Sequence, residues 1–355
     1  MNVRIAMSLA AWFALSVASA DAQGANEVVK AAIEGYVKPA YAEFHGQAGE
    51  LAGAVGRLCD APSSAGLDGA RTEFGRTVAA WSRIELLRLG PVTEENRLER
   101  ILFWPDRKGT GLKQVQAALA AEDPSAAAAV SLAGKSVAMQ GLGAMEFVLF
   151  GTGSESLAGA GGYRCAYAAA IAANVSTIAA AVEEGWRRAN GYADEWSNPG
   201  ETTPHFRDET EALNELLGVF VDGLELVRDQ RLGFLGASGA DDRPKQALFW
   251  RSGLTVESLA ADLAGLSRLF EASGIADDLP ADQAWIASSI RFEFANAARA
   301  AEGVHGAIEE ALRDPARRDA LAYLRIVTRS LSELFGTRLA PALGLTAGFS
   351  SLDGD

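Results

Sequence analysis

The chain has 355 residues with a formal net charge of −14, 49% hydrophobic residues, three histidines and two cysteines. So acidic a surface excludes a sequence-independent grip on nucleic acid, whose phosphates demand basic protein, and favours cations or metals as attracted species. At about 150 residues per domain the length suggests two domains with ample buried core.

Residues 1–20 read as a cleaved secretory signal: MNVR carries the positive charge, Ile5 to Ala18 is apolar, and Ala18-Ser19-Ala20 supplies small residues for the peptidase. The alternative, a membrane anchor, is shorter than the ~20 residues a span needs, and no cysteine sits at the cleavage site for lipidation. No later segment looks long and charge-free enough to cross a bilayer, so the expected location is the periplasm. An oxidising compartment then leaves Cys59 and Cys165 two readings, a disulfide or two separate buried thiols. A disulfide would close a loop of about a hundred residues, for which chain entropy gives ~4–5 kcal/mol.

Helical periodicity recurs throughout and no run of alternating strands is found, which predicts an all-α protein. The predicted helices are 25–59 with a bend near Pro39, 66–89, 108–121, 124–150, 163–190, 205–230, 245–273, 281–312 and 315–339. Asp123-Pro124 and Asp314-Pro315 place a capping acid before a proline at the first helical position, and Thr203-Pro204 does much the same. Residues 191–204 (GYADEWSNPGETTP) are richest in turn formers, so the domain boundary is placed there, giving 21–196 and 197–355 as two antiparallel helical bundles packed side by side. A faint echo between LAGAVGRLC (51–59) and DLAGLSRLF (262–270) leaves duplication open.

The stretch from Ser136 to Phe150 is apolar all round except for Gln140 and Glu146, which predicts an enclosed helix. Glu146 shares its stripe with Met139, Leu142, Leu149 and Phe150, so its carboxylate should point into the interior and need a partner. Arginines beside greasy helices are the natural candidates. WSRIELLRLGP (81–91) offers Glu85 and Arg88; FWPDRKG (103–109) offers Trp104, Asp106 and Arg107; FWRSG (249–253) offers Trp250 and Arg251. LVRDQRLG (226–233) and IRFEFANA (290–297), with Arg291 and Glu293, have the same flavour. These residues either dock the two bundles as salt bridges or line a ligand site where the bundles meet. Gly143 and Gly141 form a notch that either admits a neighbouring helix or makes room for a ligand. His45, His205 and His305 form no HExxH pair, and no GxSxG elbow, phosphate loop or dinucleotide fingerprint is present.

GLGAMEFVLFG (141–151) resembles the imelysin-like signature, in which glycine, any residue, histidine, two residues and glutamate precede an apolar stretch ending in glycine. Gly141, Glu146 and Gly151 fall at the matching places. WSRIELLRLGP, FWPDRKG, RCAYAAAIAAN (164–174) and FWRSGLT (249–255) resemble the branch described as predicted periplasmic proteins or lipoproteins. The resemblance implies two helical bundles with a functional cleft between them, an envelope location and a link to bacterial iron acquisition, with iron or another divalent metal as the candidate cofactor. It also implies iron-uptake envelope proteins as candidate partners. Some relatives are labelled metallopeptidases. Gly143 stands where the signature has histidine, so Glu146 is carried over as a cleft residue and candidate metal ligand without its histidine partner. The leading reading is a non-enzymatic protein binding a metal or small ligand between the bundles; the alternatives are a metallopeptidase and an envelope scaffold.

Overall fold

A computed structural model describes residues 24–159 and 161–345, and the predicted signal at 1–20 lies outside them. Among the described residues every regular element is a helix. The first spans both halves: Ala25–Ala32 runs through a widened π turn, Ile33–Val37, into Lys38–Asp60 without a break. Pro39, which cannot donate to the carbonyl four residues back, sits just after that turn, so the expected bend is absorbed by one loosened turn. At 1.5 Å per residue this rod is about 54 Å long, enough to serve two bundles.

Its later part packs against Ser64–Ile84 and Gly162–Arg187, with Leu142–Phe150 laid across them. Ser63 starts the return helix by accepting a bond from the Gly66 amide, 3.1 Å away. The earlier part, Ala25–Ala32, instead meets Glu209–Glu225 and Thr255–Ser273, which pack with Trp285–Glu302 and Pro315–Glu333. Helix Thr255–Ser273 also lies along Ser64–Ile84 and so belongs to the seam. There Gly265 comes so close to the Arg83 carbonyl that an added Cβ would lie 2.0 Å from its oxygen. The Tyr36 hydroxyl donates to that same carbonyl. Aromatic residues fill both halves: Phe44 against Trp81 in one, and Phe220 stacked on Phe335 in the other.

Several predicted helices are broken, each for a visible reason. The span 124–150 becomes a turn, a short helix Ala129–Leu132, a 3-10 turn Val137–Met139 and the helix Leu142–Phe150. Asp123 does not start a helix, because its carboxylate is engaged by the Ser125 amide and hydroxyl and by Lys135. Asp314, with the same Asp-Pro signal, does cap its helix through the amides of Ala316 and Arg317. Thr203-Pro204 forms a turn, and the following helix waits for Asp208, which caps Glu209–Glu225. The span 245–273 opens in a 3-10 turn, Pro244–Gln246, and is α-helical only from Thr255, and 281–312 divides into Trp285–Glu302 and Ile308–Arg313 around Gly306, whose φ is +83°. Within 191–204 lies a short helix, Tyr192–Ser197, whose Trp196 is fully buried and donates to the Ala212 carbonyl.

Helix Gly162–Arg187 corrects the reading that no later segment could cross a membrane: by length and hydropathy it could. In the fold its apolar surface is used against Lys38–Asp60, with Tyr167, Ile171, Ile178 and Trp186 all buried. Cys59, in the last turn of Lys38–Asp60, is disulfide-bonded to Cys165, in the first turn of Gly162–Arg187.

Candidate functional site

The site begins with a local break in the chain. Gln140 is buried and its amide donates to the Lys135 and Ala133 carbonyls, while its oxygen accepts from Arg100; Asn174 joins from the neighbouring helix. The next residue, Gly141, is extended and packs where a Cβ would stand 2.2 Å from the Ile101 carbonyl oxygen. Helix Leu142–Phe150 therefore starts abruptly, with no side-chain cap, and its first turn borders a cavity of about 600 Å³. The opposite wall comes from 229–234 and 243–251 of the second half, and the third from 103–115.

The two glycines of the notch do different work. Gly141 is the close-packing one. Gly143 is exposed on an otherwise buried helix, and a Cβ there would meet nothing within 4 Å. The notch at 143 thus opens into the cavity rather than admitting a helix. Gly141→Ala is expected to destabilise the fold by roughly 1–3 kcal/mol or more, as overpacking against backbone does. Gly143→Ala, by contrast, should be neutral or stabilising by up to about 1 kcal/mol through helix propensity. Paired thermal melts check this, and equal effects at both positions would refute the distinction.

Glu146 lies one turn beyond Gly143 and is 5% exposed. Its side-chain partner is a serine, with Arg251 acting through its backbone amide and its charge. Oε1 accepts from both the amide and the hydroxyl of Ser252, each at 2.9 Å, across the seam. Burial pushes the carboxyl above the ordinary glutamate value; the two Ser252 bonds and the nearby Arg251 charge oppose that rise. Ser252 is aimed by a sharp turn in which buried Phe249 takes φ +57° and Gly253 φ +75°. A bulky residue in the left-handed region costs about 1 kcal/mol or more, and what it achieves here is to present Trp250, Arg251 and the Ser252 amide to the cavity. The Arg251 guanidinium stacks 4.4 Å from the Trp250 ring centre and 5.6 Å from that of Phe147. Burial lowers its pKa, with Glu146 acting in the opposite sense.

The predicted site residues separate into three groups. Glu146, Gly143, Trp104, Asp106, Arg107, Trp250 and Arg251 border the cavity. Asp106 does so while engaged as a helix cap, accepting from the amides of Thr110 and Gly111 at 2.7 and 2.9 Å. Glu85 lies elsewhere, fully buried in an ion pair with Arg231. Arg231 also reaches Ser258 at 2.7 Å and approaches Asp262 Oδ2 at 3.3 Å, and its guanidinium sits 5.8 Å from the Trp104 ring centre, behind the cavity wall. Burial raises the Asp262 carboxyl well above its ordinary value; the Arg231 charge lowers it and Glu85 raises it. Arg88 is exposed and acts on Asp262 only through its charge. Arg291 and Glu293 lie outside the cavity lining: Arg291 pairs with Glu271 at 2.8 Å, and Glu293 accepts from Ser330 and Asn296.

Ser252, Arg231, Asp262, Arg243 and Lys245 were missed by the sequence reading. The first two stand inside motifs that it quoted, FWRSG and LVRDQRLG, but nothing in a turn serine or a single arginine marks it for a seam.

A metal held by protein side chains alone does not fit. No three His, Cys, Asp or Glu residues cluster among the described residues, and no described histidine borders the cavity. His45 meets Glu183 and His205 meets Glu195 away from it.

The sequence from 37 to 334 matches the imelysin family model, so the chain belongs to the imelysin family. Among solved structures it is similar to an imelysin-like protein from Psychrobacter arcticum, with TM-score 0.72 and 20% identity over 93% of this chain and 99% of that one. It is also similar to a protein from Parabacteroides distasonis described as a candidate iron-regulated protein A precursor, with TM-score 0.68 and 12% identity over 89% of this chain and 97% of that one. Likeness at this identity extends to the fold. Among curated proteins no sequence matches.

Proposed function

We propose that this imelysin-family protein is an exported, non-enzymatic binding protein whose site is the cavity between its two helical halves, and that its role belongs to iron acquisition. The observation that carries the reading is Glu146: a carboxylate on an apolar helix, bonded across the seam to Ser252 and bordering about 600 Å³ of space. A cavity of that size between two halves of a fold, with aromatic walls and polar groups converging on it, is the usual form of a small-molecule site. The iron link rests on the description of the Parabacteroides relative. Export rests on the sequence of residues 1–20 and on the disulfide, which persists in an oxidising compartment.

Peptidase chemistry finds no support in the side chains, since activation of water by a metal needs ligands beyond one glutamate. The test uses the open space at Gly143. Gly143→Trp should fold normally, because nothing stands in the way of its Cβ, but should fill the cavity. A ligand present at a hundred times its Kd raises stability by about 2.7 kcal/mol. Small molecules that raise the melting temperature of the wild type should therefore leave Gly143→Trp unmoved. If every stabilising ligand acts equally on both proteins, the cavity is not the site.

A further inference from the structure

The charges around this cavity run opposite to those of the whole molecule. The chain carries a net −14, yet Arg107, Arg243, Lys245 and Arg251 all border the opening. None of these four makes a side-chain hydrogen bond or ion pair with another described residue. Most other arginines do: Arg71, Arg83, Arg97, Arg231 and Arg318, for instance, each meet a carboxylate. The acids of the cavity are differently placed. Asp106 is engaged by backbone amides and Asp229 by Arg228, and Glu146, held by Ser252, acts by its charge on Arg251 among the four.

Two of those cations are also held in position. Lys245 Nζ lies 5.7 Å from the centre of the Trp250 ring on which Arg251 stacks. A guanidinium over an aromatic ring retains its N–H donors, whose paired spacing matches that of a carboxylate's oxygens. Partial burial of Arg251 strengthens such a pair, because the charge is already half stripped of water. Burial of Arg251 outweighs the help it receives from the Glu146 charge, so an anion hydrogen-bonded to its guanidinium would be favourable there.

We propose that the cavity receives a small polycarboxylate, free or wrapped around a metal ion, with the four cations taking its carboxylates and Glu146 offering one oxygen to a chelated metal. The proposal rests on the reading of this cavity as the binding site and deepens it. It also accounts for a glutamate without companion metal ligands: in a chelate, the chelator supplies the rest of the coordination.

The experiment titrates the full disulfide-bonded protein with citrate, with ferric citrate, and with ferrous iron free of chelator under anaerobic conditions. Calorimetry and the fluorescence of Trp104 and Trp250 provide the readouts. Citrate in at least one form should bind, more weakly at 200 mM than at 50 mM salt, and about tenfold more weakly in Arg251→Gln and in Lys245→Gln. Lys245 is exposed, so its variant tests the idea even if Arg251→Gln folds poorly. Loss of ferric citrate binding alone in Glu146→Gln identifies the chelate as the ligand; binding of both forms unchanged in that variant identifies the free acid. No citrate binding in either form, or binding indifferent to both cation variants, overturns the proposal. Binding of chelator-free iron that Glu146→Gln abolishes, without citrate binding, also overturns it, while leaving the cavity as the site. Failure of the broader reading shows differently, as ligands that Gly143→Trp does not exclude.

Discussion

Replacing Arg231 by methionine is expected to destabilise the folded chain by about 3–5 kcal/mol, the usual cost of removing one partner from a buried ion pair. Arg231 is 2% exposed, and the carboxyl groups it faces, Glu85 and Asp262, are 3% and 0% exposed. The three come from different parts of the chain: Glu85 follows the end of Ser64–Ile84, Arg231 ends the π turn after Glu209–Glu225, and Asp262 lies within Thr255–Ser273. Arg231→Met would leave two carboxyl groups facing each other in a dry seam with no cation inside it.

The loss should depend on pH in a definite direction. The Asp262 carboxyl is already raised in the native protein by burial, and removing Arg231, which lowers it, raises it further. A folded-state value above the unfolded one means that the native state holds the proton more tightly, so native stability falls as pH rises through that interval. Denaturant titrations should thus show the deficit of Arg231→Met shrinking as pH is lowered from 7 towards 4. Replacing all three residues by apolar ones of similar volume should recover much of the loss. A deficit under 1 kcal/mol at pH 7, or one that grows on acidification, would contradict this account of the seam.

How far the sequence foretold this arrangement depends on whether the signal was local. Glu146 stood out because it is the single charge in an apolar run, and one helical stripe sufficed to place it indoors; it is buried as expected. Its partner did not stand out, because Ser252 beside Gly253 has the composition of any turn. Arg231 and Asp262 each sit among polar neighbours, and only the packing of three distant segments makes them a cluster. The same limit explains the helix errors. Periodicity across 124–150 suggested one helix, but the break before Leu142 comes from the carbonyl of Ile101 lying against Gly141, a contact with a distant residue that no local window contains. Asp123 and Asp314 carry the same dipeptide signal, and they diverge because Lys135 and Ser125 compete for the first. The all-helical fold, by contrast, was written many times over in the apolar spacing, and no single misread boundary could erase it.

The disulfide offers the second large effect. Cys59 and Cys165 lie 106 residues apart with Cα atoms 5.6 Å apart. A loop of that length removes enough conformational freedom from the unfolded chain to stabilise the fold by about 4–5 kcal/mol, before any native strain. The doubly substituted Cys59→Ala, Cys165→Ala protein should lose that amount in denaturant titrations, and reduction of the wild type should mimic it. The consequence for function follows from what the loop contains: residues 103–115 and helix Leu142–Phe150, two of the cavity's three walls, lie between the cysteines. In the unfolded chain the bond holds their flanks together. In the native state it pins the start of Gly162–Arg187 to the end of Lys38–Asp60, beside the helix that carries Glu146. Hydrogen exchange should accordingly speed up in Leu142–Phe150 when the bond is absent, and less so in Pro315–Glu333 of the other half. Equal acceleration in both would mean that the bond stabilises the molecule only globally, and unchanged stability would mean that the unfolded chain is already held compact by other contacts.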